Sequence, residues 1–183
     1  FGRALGAHRD RRRPFGLGAR AYYASPRSAD PFLESYLDLH DAAGRVVPGY
    51  GWVFPLGDGT VNAGVGVVST FHRWDAVNTR QLMAALVATA PGSWELAADP
   101  SPGPVAGGML PMGLAVGPVV GPNWLLAGDA AGAINPFNGE GIAYALETGR
   151  LAAESAHLAL GPGDLGLLQD YRRVLDDRFG LYY

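Results

Sequence analysis

Between Pro100 and Gly128 the chain carries no charged residue. A run of that length would reach across a bilayer if it were helical. Pro102, Pro104, Pro111, Pro118 and Pro122 exclude one continuous helix, because each removes a backbone donor and clashes with the preceding turn. The stretch therefore predicts buried extended segments joined by turns: a strand near residues 105–110, a turn-rich connection, and a second strand at 123–127. Trp124-Leu125-Leu126-Ala127 is apolar at both parities, as expected for a parallel strand covered on both faces. An Ala-rich helix is then predicted over about residues 140–160. Ile142, Ala145, Leu146, Gly149, Ala152, Ala153 and Ala156 form its apolar face, and Tyr144, Glu147, Arg150, Glu154 and His157 lie largely opposite. Glu147 and Arg150, three apart, are spaced to pair. Gly161-Pro162-Gly163 stops the helix.

The first half of the chain has a different pattern. Residues 18–25 have strand character. So do residues 34–40, where polar and apolar positions of Glu34-Ser35-Tyr36-Leu37-Asp38-Leu39-His40 partly alternate. Two runs, Tyr50 to Leu56 and Thr60 to Val68, are joined by Gly57-Asp58-Gly59, which predicts a β-hairpin. Ala63, Gly64 and Gly66 leave the second strand partly bare, with room for something bulky against it. Residues 79–90 predict a helix, with Thr79 as N-cap, Leu82, Leu86, Ala85 and Ala90 on its apolar face, and Pro91-Gly92 as its stop.

Composition removes several classes of function. All 14 basic residues are arginine, so no lysine can form a Schiff base or act as a general base. The absence of cysteine excludes disulfides, thiolate nucleophiles and Cys-type zinc sites within the chain. His8, His40, His72 and His157 are far apart, and no metal site is expected. A net charge of −3 gives no electrostatic footprint for nucleic acid. The short basic run Arg9 to Arg13 reads as a solvated loop. Phe1 opens the chain without an initiator Met or a signal-peptide pattern. Tyr171, Val174, Leu175 and Phe179 give apolar spacing that runs to the end without a stop signal. Both ends are thus expected to continue into a longer protein.

One segment carries candidate chemistry. Gly128-Asp129-Ala130-Ala131-Gly132 follows an apolar run. A Pro-containing loop, Asn135-Pro136-Phe137-Asn138, leads to Gly139-Glu140-Gly141 at the start of the long helix. A carboxylate at the carboxyl end of a strand sits where α/β sheets bind ligands, and Asp129 there could accept from a ligand hydroxyl. Glycines let the backbone approach a flat or anionic group. The helix start adds free N–H groups and positive potential. A ligand with a polyol, a diphosphate and a ring that becomes negative on reduction suits this set, and FAD has all three. Read singly, Asp129 could equally be a cap or turn residue. Gly139-x-Gly141 is a fragment of a glycine motif, and Gly64-x-Gly66 is no dinucleotide fingerprint because no helix follows it.

Asn123 to Gly132, continuing through Pro136 to Gly149, resembles the second FAD-binding motif of the p-hydroxybenzoate-hydroxylase-like flavoproteins. The spelling Gly-Asp-Ala-Ala-Gly, Asn-Pro-Phe, Gly-Glu-Gly-Ile is closer to their geranylgeranyl reductase branch. Tyr50-x-Trp52-x-Phe54-Pro55, with Gly64-x-Gly66 downstream, resembles that branch's substrate-site motif. Ala63 stands where the branch commonly has Val. The resemblance implies that Gly128, Asp129, Ala130, Pro136, Gly139, Gly141 and Ile142 belong to an FAD site. Asp129 would bind a ribityl hydroxyl, and Gly139, Gly141 and Ile142 would bring N–H groups to the flavin pyrimidine edge. It also implies that Tyr50, Trp52, Phe54, Pro55, Gly64 and Gly66 belong to a substrate site. Tyr50, Trp52 and Phe54 would wall an apolar channel beside the flavin. Ordinary packing of an antiparallel sheet explains these three aromatics equally well, and alternation puts them on one face under either reading.

The implied fold is mixed α/β: the end of an FAD-domain segment at 1–13, an antiparallel substrate-domain sheet at 14–115, and the returning strand and helix of a Rossmann-like FAD domain at 116–183. Family members begin with a strand, Gly-x-Gly-x-x-Gly and a helix for the FAD diphosphate; the sequence lacks these, so a parent protein about twice as long is expected. The implied activity is FAD-dependent saturation of carbon–carbon double bonds in geranylgeranyl or prenylquinone chains. An external donor, NAD(P)H or a reductase, would reduce the flavin. No catalytic acid stands out. A cytoplasmic protein, with peripheral contact at the inner face of the membrane, is expected from the substrate. Two rivals remain open: an FAD-dependent monooxygenase or halogenase of the same fold, and a non-catalytic module for apolar ligands. A halogenase needs a lysine that this chain lacks.

Overall fold

A computed structural model describes residues 2–40, 43–72, 74–97, 104–181 and 183. The elements are β1 (His8–Arg9), β2 (Phe15–Ala24), β3 (Glu34–Tyr36), β4 (Tyr50–Pro55), β5 (Thr60–Val68), α1 (Thr79–Thr89), β6 (Ala106–Pro111), β7 (Val116–Gly117), α2 (Ile142–Leu160) and α3 (Tyr171–Phe179), with short 3-10 turns between them. The class is the mixed α/β arrangement expected, with antiparallel pairing. The chain divides into two compact units, residues 17–109 and residues 1–16 with 110–183.

In the unit of residues 17–109, five strands lie in the order β3-β4-β5-β2-β6. The β4–β5 hairpin forms as its turn chemistry demands. Gly57 and Gly59 take φ of +79° and +92°, and the Asp58 carboxylate accepts from the Thr60 N–H at 2.9 Å. The register sets Trp52 opposite Gly64 and Tyr50 opposite Gly66. One sheet face, with Ala19, Ala21, Tyr23, Val53, Val61, Ala63 and Val65, packs against Leu82, Met83 and Leu86 of α1. Gly51 is required here, since a side chain would stand 2.7 Å from Leu86. Asn78, rather than Thr79, caps α1: its side-chain oxygen accepts from the N–H groups of Arg80 and Gln81 at 3.0 and 3.3 Å. Asn78 is extended, which lets the side chain turn back onto the first turn.

Strand β3 is shorter than the alternation at 34–40 suggests. Leu37 is 80% exposed, and His40 makes an isolated bridge to Val46. The strand ends because Glu34 and Tyr36 are drawn into a local cluster. Glu34 accepts from Tyr36 Oη at 2.7 Å, from Trp94 Nε1 at 2.9 Å and from the Arg27 guanidinium at 2.9 Å. Arg27 also stacks 3.8 Å over the fully buried Trp94 ring. These donors hold the Glu34 carboxyl below its ordinary value of 4.5, the Tyr36 hydroxyl contributing most. A lowered carboxylate stabilises the fold fully above its unfolded pKa, and the effect is lost as pH falls through the lower folded value. Glu34→Gln is therefore expected to cost about 1–2 kcal/mol at neutral pH, the partly open rim weakening a charge-assisted cluster. Denaturant titration should show that difference shrinking below pH 4.5. A constant difference down to low pH would remove the role of the charge.

The stretch expected as a buried strand near 105–110 forms β6, but at the sheet edge with Ala106 to Met109 exposed. Its small residues have little to bury, and only one side is paired.

In the unit of residues 1–16 and 110–183, the two-residue strands β1 and β7 pair antiparallel. Leu114, Val116, Val119, Leu126, Tyr171, Leu175 and Phe179 form the core. The expected parallel strand at 123–127 is absent; its one ladder contact is the antiparallel bridge Val120–Leu125. A parallel strand exists only beside a neighbour, and among the described residues none runs alongside this segment. The long helix forms, and the face assigned from spacing holds in part, with Ala145, Gly149, Ala152 and Ala156 half-buried. Ile142 and Leu146 are 72% and 74% exposed, whereas Thr148 and Ala159 are buried. Tyr144 turns inward, its ring 5.7 Å from that of Phe179. Alanine is spread around the helix, so packing of α3 selected the buried face. The Glu147–Arg150 contact is loose at 4.0 Å; Glu147 pairs instead with Arg178 at 2.7 Å.

Candidate functional site

The segment Gly128–Ile142 is built from two turns brought to the start of α2. Gly128 and Gly132 take φ of +57° and +70°, bracketing a 3-10 turn that lifts Asp129 and Ala130 to the surface. That turn is locked from below. The Gly128 N–H donates to Thr148 Oγ1 at 2.9 Å, and Thr148 Oγ1 donates to the Tyr144 carbonyl at 2.7 Å. Tyr171 Oη lies 3.1 Å from the Leu126 carbonyl and 3.2 Å from the Thr148 carbonyl. Burial pushes the Tyr171 hydroxyl up to about 12, so it stays a donor. Thr148 and Tyr171 were missed in the sequence because a threonine inside a helix and a tyrosine near a chain end carry no signal of their own. Thr148→Val is expected to cost about 1–3 kcal/mol, since it orphans a buried N–H. Thr148→Ser should restore most of it, as read by denaturant unfolding. Equal losses in both variants would assign the effect to packing.

Asn135 organises the second turn. Its carbonyl oxygen accepts from the Phe137 N–H at 2.8 Å and its amide donates to Tyr144 Oη at 2.9 Å. Glu140 reaches forward to the Ala143 N–H at 2.8 Å. The Gly139 N–H donates to the Asn135 carbonyl at 2.9 Å. Gly139, at φ +73°, serves the turn. Gly128 likewise acts through backbone conformation, and Pro136 is half-buried beside Gly113.

The N–H groups of Gly141 and Ile142 remain without a partner among the described residues. The Asp129 carboxylate comes close to Gly141: an added Cβ there would lie 3.5 Å from Asp129 Oδ1. No side-chain hydrogen bond engages that carboxylate among the described residues, and partial desolvation raises its pKa. A carboxylate without a side-chain partner and two N–H groups without a partner, among the described residues, thus lie at the positive end of a 19-residue helix. The arrangement can bind a hydroxyl through Asp129 and an anionic or carbonyl edge through the two N–H groups.

The other set of predicted residues lies in the unit of residues 17–109. Tyr50, Trp52 and Phe54 share the sheet face opposite α1, all half-buried, with ring centroids 5.7 and 6.0 Å apart along the row. The bare strand is not open. A Cβ on Gly64 would stand 2.2 Å from the Trp52 ring, and one on Gly66 would stand 3.0 Å from Tyr50. The chain's own aromatics therefore occupy the space that the glycines leave. Trp52 Nε1 donates to Asn62 Oδ1 at 2.9 Å, which fixes the indole. Pro55 ends the strand. A separate cavity of about 940 Å³ opens beside α1, lined by Val47, Pro48, Val77, Leu82 and Ala85, and touches none of these residues.

No family model matches the chain. Among curated proteins it is 45% identical over 180 residues to a menaquinone reductase of Mycobacterium tuberculosis, covering 98% of this chain and 42% of the relative. It is 33% identical over 154 residues to digeranylgeranylglycerophospholipid reductase 2 of Methanosphaera stadtmanae, covering 82% and 37%. A solved geranylgeranyl bacteriochlorophyll reductase-like protein of Thermoplasma acidophilum superposes with a TM-score of 0.66 at 25% identity, covering 97% of this chain and 43% of that one. The chain spans about two fifths of the length of the relatives it matches. Sequence and fold agree: this chain belongs to the geranylgeranyl reductase family of flavoproteins.

Proposed function

We propose that the protein containing this chain is an FAD-dependent reductase that saturates carbon–carbon double bonds of a polyprenyl chain, with the side chain of a prenylquinone such as menaquinone as the foremost substrate. The observation that carries this reading is the Asp129 carboxylate close to Gly141, at the helix start where the Gly141 and Ile142 N–H groups have no partner among the described residues. The names of the relatives supply the substrate class. Asp129 accepts from a ribityl hydroxyl. Gly141 and Ile142 hold the pyrimidine edge, where their fixed dipoles favour the negative charge of the reduced state. When bound, FAD supplies a hydride to one alkene carbon while a proton reaches the other. Tyr50, Trp52 and Phe54 offer the prenyl chain an apolar row that sheds water. The described residues offer no acid as proton donor. Electrons come from an external donor, NAD(P)H or a partner reductase.

Among the described residues no helix is long and apolar enough to cross a membrane. Exposed Phe32, Leu33, Leu37 and Val46 support peripheral contact with the membrane that holds the substrate, at its cytoplasmic face.

The test is anaerobic incubation of the full-length protein with chemically reduced flavin and menaquinone, followed by mass spectrometry. Gain of one hydrogen molecule per reduced bond, without oxygen, is the expected outcome. Product that forms only with oxygen would establish a monooxygenase or halogenase. A full-length protein that purifies without flavin would leave only a module for apolar ligands.

A further inference from the structure

The sheet face with Tyr50, Trp52 and Phe54 also carries Arg20. On β2, Ala19, Ala21 and Tyr23 are buried on the α1 side, so Gly18, Arg20 and Tyr22 share the opposite face with the aromatic row. Arg20 is half-buried. Its guanidinium lies 4.7 Å from the Tyr22 ring centroid. Among the described residues it meets no carboxylate and no carbonyl.

Arg3, Arg11 and Arg80 also meet no carboxylate among the described residues but are exposed, and the half-buried Arg9, over the Phe15 ring, reaches the carbonyls of Asp10 and Arg13; the following arginines are ion-paired. Arg12 pairs with Asp10, Arg27 with Asp30 and Glu34, Arg150 with Glu154, Arg172 with Asp176, and Arg178 with Glu147. A partly desolvated cation without an acceptor is costly. Stacking against Tyr22 uses only the face of the guanidinium and leaves its in-plane N–H fork unspent. That fork matches a group presenting oxygen acceptors, on an inner strand of the sheet face that carries the aromatic row.

We propose that Arg20 binds the polar head of the substrate through an oxygen acceptor, a quinone carbonyl or a phosphate oxygen, and so selects prenyl chains that carry such a head. The assignment rests on the polyprenyl reductase reading and adds to it the residue that reads the head. Arg20 is a binding residue and takes no part in hydride or proton transfer.

The test compares wild-type and Arg20→Gln full-length protein, each with its flavin content and melting temperature checked, on three substrates with equal prenyl chains: a prenylquinone, a prenyl diphosphate and a headless polyprene. Arg20→Gln is expected to raise KM roughly 10–100-fold for the substrate whose head it reads, the range for one charge-assisted bond. Its kcat on that substrate, and both constants on the headless polyprene, should stay unchanged, the signature of uniform binding. Arg20→Lys separates the two sources. A point charge keeps much of the affinity for a diphosphate but loses the fork on a quinone carbonyl. Equal changes on all three substrates, or none, would overturn the assignment while leaving the reductase reading intact. A wild-type protein inactive on all three would overturn that reading and this inference together. If Arg20→Gln fails to fold, the KM ratio of Arg20→Lys between headed and headless substrates decides.

Discussion

Asp129→Ala in the full-length protein is expected to purify with its flavin largely gone. A hydrogen bond to a charged acceptor is worth about 1.5–3 kcal/mol, which corresponds to flavin affinity lower by roughly 10–100-fold. The same substitution should make the apoprotein slightly more stable. Desolvation raises the Asp129 pKa, so the fold disfavours its ionised form. For a carboxyl raised in this way, the destabilising contribution is present above the folded pKa and vanishes as pH falls below the unfolded one. Loss of flavin absorbance together with an unchanged or raised apoprotein melting temperature therefore identifies a ligand-binding carboxylate. Loss of both would mark a structural one, and unchanged flavin content would sink the role altogether. Asp129→Asn keeps an acceptor oxygen without the charge and should fall between wild type and alanine.

Gly64→Ala is expected to be the most damaging single methyl group in the sheet. The added carbon would meet the Trp52 ring at 2.2 Å and the Ala19 carbonyl oxygen at 2.8 Å. The ring can swing, but only by giving up its bond to Asn62; the backbone carbonyl cannot. Overpacking of this kind costs about 1–3 kcal/mol, and the lost indole bond adds about 1. In a Trp52→Ala background the ring clash disappears and the Ala19 contact stays, so the cost of Gly64→Ala should fall by about half. A double-mutant cycle on the denaturant midpoint measures that coupling. Equal costs in both backgrounds would show that Trp52 does not lie on Gly64. If the aromatic row holds the prenyl chain, Gly64→Ala should also raise KM, because the displaced indole would stand in its path.

The two effects are different in kind. Among the described residues no side chain pairs with Asp129, and desolvation raises its pKa. Gly64 is matched to one neighbour and stabilises by being small. Whether the aromatics were sheet packing or a binding surface was open in the sequence. In the structure Trp52 packs onto Gly64 and Tyr50 onto Gly66, Phe54 stands opposite Asn62, and all three are half-buried.

Much of this was legible in the residues alone, for local reasons. The hairpin followed from Gly57-Asp58-Gly59, because positive φ in a tight turn needs glycine and because the Asp58 carboxylate holds the turn. The long helix followed from its composition and its Gly-Pro-Gly stop. The grouping of Asp129 with Gly141 and Ile142 came from the family resemblance, and the residues alone left Asp129 open as a cap or turn residue. Features that depend on contacts distant in sequence were not legible. Residues 123–127 have the composition of a covered strand, but strand structure needs a partner, and one antiparallel bridge is all this segment makes. Periodicity placed Ile142 and Leu146 inward, whereas α3 selected the face of Thr148 and Ala159. The sequence by itself determined the hairpin turn and the extent of the long helix, since these rest on local backbone preferences and on short spacings. Only the tertiary structure decided which helix face is buried, which N–H groups stay free, and that Thr148 and Tyr171 hold Asp129 in place. Those outcomes depend on which surfaces remain to be covered, and on which donors are already spent, once the chain has folded.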